Sequence, residues 1–148
     1  MTIYPDASLL VSFLYGKDTQ HPKARRWYAA HQTDRWLISP WTEFETINSL
    51  RSLCLRSGGP SPDTAEALRR WFKHLFVQGP FYRERVEWTQ VIVDAHQISA
   101  SLATTHKARS ADALHVAILE QANPDMFVSM DADQVALALR RGFRAVHV

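Results

Sequence analysis

The sequence predicts an α/β fold, a central mainly parallel β-sheet flanked by α-helices, on three observations. Short apolar strand candidates alternate with helix-length segments along the chain, the order that builds a parallel sheet with right-handed crossovers. Two of those strand candidates, Thr2 to Tyr4 and Met126 to Met130, run directly into an acid, Asp6 and Asp131. A third segment, Ala113 to Leu119, is apolar on nearly every side, as a helix buried against a sheet should be, yet it carries Asp112 at its head. The 148 residues and 46% apolar content suit one compact domain spanning 1–148.

Thr2-Ile3-Tyr4 is the first strand. Pro5 has no N–H to give a central ladder, so the strand must end or distort there. Asp6 then precedes a helix over Ala7 to Tyr15, which Gly16-Lys17-Asp18 stops. At the carboxyl end of a strand in an open α/β sheet an acid faces the usual ligand crevice, while locally it serves equally as a helix cap.

Pro22 sits in the first turn of a helix over His21 to His31, whose Lys23, Arg25 and Arg26 form a basic face. Arg35 to Ser39 is the second strand, and Ser39-Pro40 supplies N-cap and N1 residues for a helix running toward Leu55 before Ser57-Gly58-Gly59-Pro60. On that helix Ile47, Leu50 and Cys54 make an apolar stripe that Glu43 shares, with Glu45 nearly opposite and Asn48 beside it. Thr42-x-x-Glu45 also matches a capping box, which would occupy Glu45 locally.

Ser61-Pro62 restarts a helix whose Trp71, Phe72, Leu75 and Phe76 recur at helical spacing, serving the core or a partner surface. Phe81 to Trp88 forms a short irregular strand, Thr89 to Thr104 a helix, and Lys107 to Gln121 the segment headed by Asp112. Asn123-Pro124-Asp125 breaks it. The strand Met126 to Met130 follows, then a helix over Gln134 to Arg141, Gly142, and a last strand at Ala145 to Val148.

A net charge of +2 permits a polyanionic partner without demanding one. The single Cys54 excludes an internal disulfide and a cysteine zinc cluster and suits a reducing cytosol. Leu9 to Tyr15 is too short for a membrane span and lacks the basic leader of a signal peptide, so a cytoplasmic protein is expected.

Parallel topology brings Asp6 and Asp131 to one sheet edge. If Asp112 and a glutamate of the third helix join them, repulsion at ~4 Å is about 4 kcal/mol per pair at an effective dielectric near 20. A cation or raised pKa values would be needed to hold them. Oxygen-only ligands suit Mg²⁺ or Mn²⁺.

Four blocks of the chain resemble the PIN-domain ribonucleases, and among them the VapC-like toxins of bacterial toxin–antitoxin pairs. They are Tyr4-Pro5-Asp6-Ala7-Ser8-Leu9-Leu10, Phe44-Glu45-Thr46-Ile47-Asn48-Ser49-Leu50, Arg109-Ser110-Ala111-Asp112-Ala113-Leu114-His115-Val116-Ala117 and Phe127-Val128-Ser129-Met130-Asp131. The resemblance implies a PIN-like three-layer fold and an endoribonuclease in which Asp6, Glu45, Asp112 and Asp131 hold Mg²⁺ or Mn²⁺. An activated water would attack phosphorus in line and leave a 5′-phosphate. It names Glu45 as the second acid where the apolar stripe names Glu43, and both remain open at this point.

By the same resemblance Ser8, Asn48, His115 and Arg109 orient acids or substrate, with Trp41 and Lys107 near enough in sequence to stack on a base or hold a phosphate. Ser8 is the nearest hydroxyl to Asp6, since Ala7 stands where the family often has one. The implied partners are RNA, a cognate antitoxin and a second copy in a homodimer, with no membrane. Other classes are a catalytically inactive PIN-like RNA-binding or protein-interaction module, a phosphatase using Asp6 as nucleophile, and metal-free RNA cleavage by paired histidines. The phosphatase would lack the usual second nearby Asp, and the seven His are scattered.

Overall fold

The computed structural model describes residues 1–102 and 109–148. In chain order it contains β1 (Thr2–Pro5), α1 (Ala7–Leu14), α2 (His21–Ala30), β2 (Arg35–Ile38), α3 (Pro40–Leu53), α4 (Pro62–Gln78), β3 (Phe81–Arg83), α5 (Trp88–Leu102), α6 (Ser110–Ala122), β4 (Met126–Ser129), α7 (Ala132–Arg140) and β5 (Ala145–His147). The five strands form one sheet in the order β3-β2-β1-β4-β5. Every pairing is parallel.

The predicted α/β class holds, and strand alternation explains its three layers. Successive side chains of a strand point to opposite faces. Ile3, Trp36, Ile38 and Val128 therefore pack with α1, Leu50 of α3 and Phe72 of α4. Tyr4, Leu37 and Phe127 pack on the other face with Val91 and Ile98 of α5, Val116 to Leu119 of α6, and Val135 of α7. Trp71 and Phe76 are partly buried against the first core and Phe72 is fully buried, so the aromatic face of α4 is core and not a free surface.

Helix boundaries follow local chemistry. Ser39 caps α3, its Oγ accepting from Thr42 N at 3.1 Å. Asn123 closes α6 in the left-handed region at φ 43°, and Gly142 follows α7 at φ 87°. Helix α7 begins at Ala132, two residues before the expected Gln134, because Asp131 itself is its cap. The expected end of α5 at Thr104 and the candidate Lys107 lie outside the described residues.

Pro5 is the last residue of β1, opposite Val128, and the ladder resumes one residue later where Asp6 N donates to Val128 O at 3.0 Å. The missing donor thus costs the central strand nothing beyond its end. Because chain order reverses between β1 and β4, the crevice at their carboxyl ends is the topological switch point where such sheets bind ligands. Among the described residues no helix is long and apolar enough to cross a membrane.

Candidate active site

Asp6 leaves β1 at that crevice and caps α1. Its Oδ1 accepts from Leu9 N at 3.0 Å and from Ser8 Oγ at 2.8 Å, and its Oδ2 accepts from Ser129 Oγ at 2.9 Å. Only 4% of the residue is exposed. Burial pushes the carboxyl above the usual aspartate range, against the pull of His115 and of its three donors. Both hydroxyls also tie the acid to the exit of β4: Met130 N donates to Ser8 Oγ at 3.0 Å and Asp131 N to Ser129 Oγ at 2.8 Å.

Asp131 caps α7 through Oδ1, which accepts from Asp133 N at 2.9 Å and Gln134 N at 3.3 Å. Its Oδ2 is left for the crevice, where Arg109 Nη2 stands 3.6 Å away. At the head of α6, Asp112 Oδ2 accepts from Arg109 N at 2.9 Å and lies 3.9 Å from Arg109 Nε. One guanidinium thus spans two of the four carboxylates. Asp112 is half-buried and not sunk in the core: the apolar body of α6 begins at Ala113, one residue later. The most buried acid is Asp6.

Glu45 reaches the same region from α3. Its Oε2 lies 2.7 Å from His115 Nε2. An ionised carboxylate only accepts, so that ring nitrogen carries the proton. His115 is 2% exposed, and its Nδ1 lies 3.4 Å from the hydroxyl of fully buried Tyr4. Tyr4 Oη in turn accepts from Thr42 Oγ1 at 2.8 Å and shares a 2.8 Å hydrogen bond with Ser39 Oγ. Strand β1, the cap of α3 and the core of α6 therefore meet in one polar network that ends on Glu45.

Glu43 points elsewhere. Its carboxylate pairs with Lys73 of α4 and lies 3.6 Å from Arg83 Nε. The apolar stripe that favoured Glu43 shares only Leu50 with the fully buried face of α3, because that face is built partly from hydroxyls: Thr42, Thr46, Leu50 and Leu53 are its buried residues. The capping box is likewise absent. The helix starts at Pro40, two residues before Thr42, with Ser39 as its cap, which frees Glu45 from the first turn.

Ser8, Arg109 and His115 thus each touch an acid. Asn48 does not: it is exposed on α3, and among the described residues its side chain has no hydrogen bond to the acids. Ser129 and Tyr4 are participants the sequence did not flag. The signals were there, a lone hydroxyl in a buried strand two residues before Asp131 and a phenol two residues before Asp6. Trp41 packs beside His115 with ring centroids 6.5 Å apart, and its buried Nε1 has no hydrogen-bond partner among the described residues.

The donor set suits a hard divalent cation: four carboxylates at one sheet edge, no cysteine, and a histidine already committed to Glu45. Arg109, shared by Asp112 and Asp131, is a cationic side chain standing where those carboxylates need positive charge. As they stand, no three His, Cys, Asp or Glu side chains among the described residues are gathered tightly enough to hold a metal ion.

The sequence matches the family model described as the PIN domain over residues 3–141. No curated protein matches it. Among solved structures, it is similar to Mycobacterium tuberculosis VapC20, described as a Sarcin-Ricin loop cleaving toxin, at 19% identity and a TM-score of 0.68, covering 99% of this chain and 98% of that one. It is also similar to FitAcB from Neisseria gonorrhoeae, at 13% identity and TM-score 0.63 over 98% and 96% of the two chains. VapBC2 from Rickettsia felis, bound to a promoter DNA fragment, matches at 9% identity and TM-score 0.65 over 100% and 99%. At such identities the likeness is one of fold.

Proposed function

The chain belongs to the PIN-domain family, and on that premise we propose that residues 1–148 act as one domain, a Mg²⁺- or Mn²⁺-dependent endoribonuclease, the cytoplasmic toxin of a toxin–antitoxin pair. The observation that carries the proposal is the placement of Asp6, Glu45, Asp112 and Asp131 at the carboxyl edge of a parallel sheet, with the cationic Arg109 and the imidazole of His115 already set among them. Repulsion between such carboxylates is relieved in part by these two side chains, and a divalent cation would relieve it further.

Asp6, Glu45, Asp112 and Asp131 would hold the ion. When bound, it neutralises phosphate charge and lowers the pKa of a water poised to attack phosphorus. The protein's own part is positioning. Ser8, Ser129 and Leu9 N fix the rotamer of Asp6, and His115, braced by Tyr4, fixes Glu45. Arg109, 72% exposed, has the reach and the fork of donors to hold a non-bridging phosphate oxygen of the strand.

A cognate antitoxin and a homodimer are part of the proposal. They are supported by the complexes in which chains of this fold are described and by the exposed Trp88, Ile92 and Val93 of α5.

The test is a thermal-shift titration joined to product-end analysis. Metal at about 100 times its Kd stabilises by about 2.7 kcal/mol, and Asp112→Asn should abolish most of that response. Cleavage should stop in EDTA and leave 5′-phosphates in Mn²⁺. Absence of any shift at millimolar metal favours the inactive RNA-binding module, and 2′,3′-cyclic ends formed in EDTA would refute metal-dependent hydrolysis.

A further inference from the structure

The face of α3 that carries Glu45 also carries side chains the acids do not use. At about 100° per residue, Trp41, Phe44, Glu45 and Asn48 share one side of the helix, away from buried Thr42, Thr46, Leu50 and Leu53. Phe44 is 58% exposed. Its ring stands 5.8 Å from that of Trp41, which itself packs edge-on against His115. An exposed aromatic is therefore tied through one further ring to the histidine that holds Glu45.

On the other flank of Phe44, beside Pro40 one turn earlier, lies a groove of 670 Å³ between the N-terminal turn of α3 and residues 83–86, whose charged lining is Glu43, Arg83, Glu84 and Arg85. Its charges are unequally engaged. Arg83 stacks over Phe76 at 4.3 Å and faces Glu43, which also pairs with Lys73. Arg85 is exposed and, like the half-buried Glu84 before it, has no side-chain partner among the described residues.

We propose that Phe44, with Trp41 behind it, is a stacking platform for one unpaired base of a single-stranded RNA, and that the adjoining groove takes the neighbouring phosphate on Arg85. The inference rests on the ribonuclease reading and adds to it a place and a direction for the strand: over the crest of α3, between the groove and Glu45. An unpaired strand is required because a base in a duplex has no free face to offer a ring. The run of rings from Phe44 through Trp41 to the histidine that holds Glu45 is what favours the RNA strand over an apolar peptide on this face, since a strand that reaches Glu45 along α3 passes over it.

The test is a binding titration of the full chain with a fluorescein-labelled, unstructured 12-nucleotide RNA, in the Asp112→Asn background so that the strand stays whole. Phe44→Ala should weaken binding about 5- to 150-fold, the equivalent of one lost base stack. Phe44→Trp should restore it, which separates stacking from misfolding. Arg85→Ala should reduce the slope of log K against log salt by about 0.7. A 12-mer of abasic sugar-phosphate should bind the parent and Phe44→Ala alike. Binding of Phe44→Ala within twofold of its parent overturns the subsite. So does loss of a co-expressed antitoxin in Phe44→Ala with RNA binding intact, which would give the face to a protein. Cleavage is read separately on the wild-type chain with Mn²⁺. Cleavage with no Phe44 effect refutes the subsite alone, and a Phe44 effect without cleavage refutes the nuclease alone.

Discussion

Replacing Tyr4 by Phe removes one oxygen from the centre of the molecule and tests whether the polar network beneath Glu45 matters to both fold and site. The hydroxyl makes two 2.8 Å hydrogen bonds, with Ser39 Oγ and Thr42 Oγ1, and a longer 3.4 Å approach to His115 Nδ1. Each good hydrogen bond is worth about 0.5–1.5 kcal/mol net. Ser39 and Thr42 keep each other at 3.1 Å, so the loss belongs toward the lower end, about 1–2 kcal/mol. With 148 residues and about 2.1 cal/mol/K of unfolding entropy per residue, 1 kcal/mol moves Tm by about 3 °C, so Tm should fall by about 3–6 °C. Burial pushes the phenol of Tyr4 far above its ordinary range, so it stays neutral and the effect should show no step near pH 10. Catalysis should suffer separately. His115 keeps its hydrogen bond to Glu45 but loses its brace from β1, and kcat should drop about 10-fold or more with KM little changed, as small misplacements of reacting groups do. Differential scanning calorimetry and steady-state cleavage of one RNA check both parts. A Tm within 1 °C of wild type refutes the energetic account, and an unchanged kcat in a destabilised variant refutes the link to Glu45.

The two glutamates of α3 should separate cleanly: Glu45→Gln should lower the cleavage rate by about 100-fold or more, while Glu43→Gln, a half-exposed partner of Lys73 and Arg83, should cost about 1 kcal/mol or less of stability and leave the rate within a few-fold. The reverse pattern in a single-turnover assay would reassign the second acid. At the opposite end of the sheet, Asp125 accepts from Thr2 N at 2.6 Å and Thr2 Oγ1 at 3.0 Å, joining the starts of β1 and β4, and these bonds lower its pKa. A depressed carboxylate adds stability that is present above its ordinary value near ~3.9 and disappears as pH falls through its lower folded value. Asp125→Asn should therefore melt below wild type at neutral pH, with the gap closing in acid, and melting curves showing a gap constant with pH would contradict the assignment.

Much of this was legible in the chain. Strand, helix and strand in alternation dictated the parallel sheet, and parallel topology placed Asp6 and Asp131 at one edge before any coordinate. Glu45 was not legible from periodicity, because an apolar stripe reports the buried face of a helix only when that face is apolar, and α3 buries Thr42 and Thr46. Thr46 Oγ1 satisfies itself on Thr42 O at 2.7 Å, and Thr42 on Tyr4, so these hydroxyls behave as core. The composition of α6 describes the body of the helix, whereas Asp112 stands in its first turn, where the chain opens to the crevice. The Tyr4, Ser39, Thr42 and His115 network joins residues as far as 111 positions apart, and no local pattern contains it.

What looked at first like a choice between capping and chemistry is no choice in this fold. Asp6 caps α1, Asp131 caps α7, and Asp112 accepts from the N-cap amide of α6. In a parallel sheet the helices that follow β1 and β4 start at the carboxyl edge, so each brings the positive end of its dipole to the place where the acids gather, worth about 0.3–1 kcal/mol for a nearby anion. Asp131 shows the division of labour within one carboxylate: Oδ1 holds two backbone amides and Oδ2 faces the crevice and Arg109. Capping fixes the rotamer, the dipole offsets part of the repulsion between acids, and the second oxygen stays available. The same helix termini that offset the repulsion between these acids are what keep them aimed at the cation a nuclease would bind.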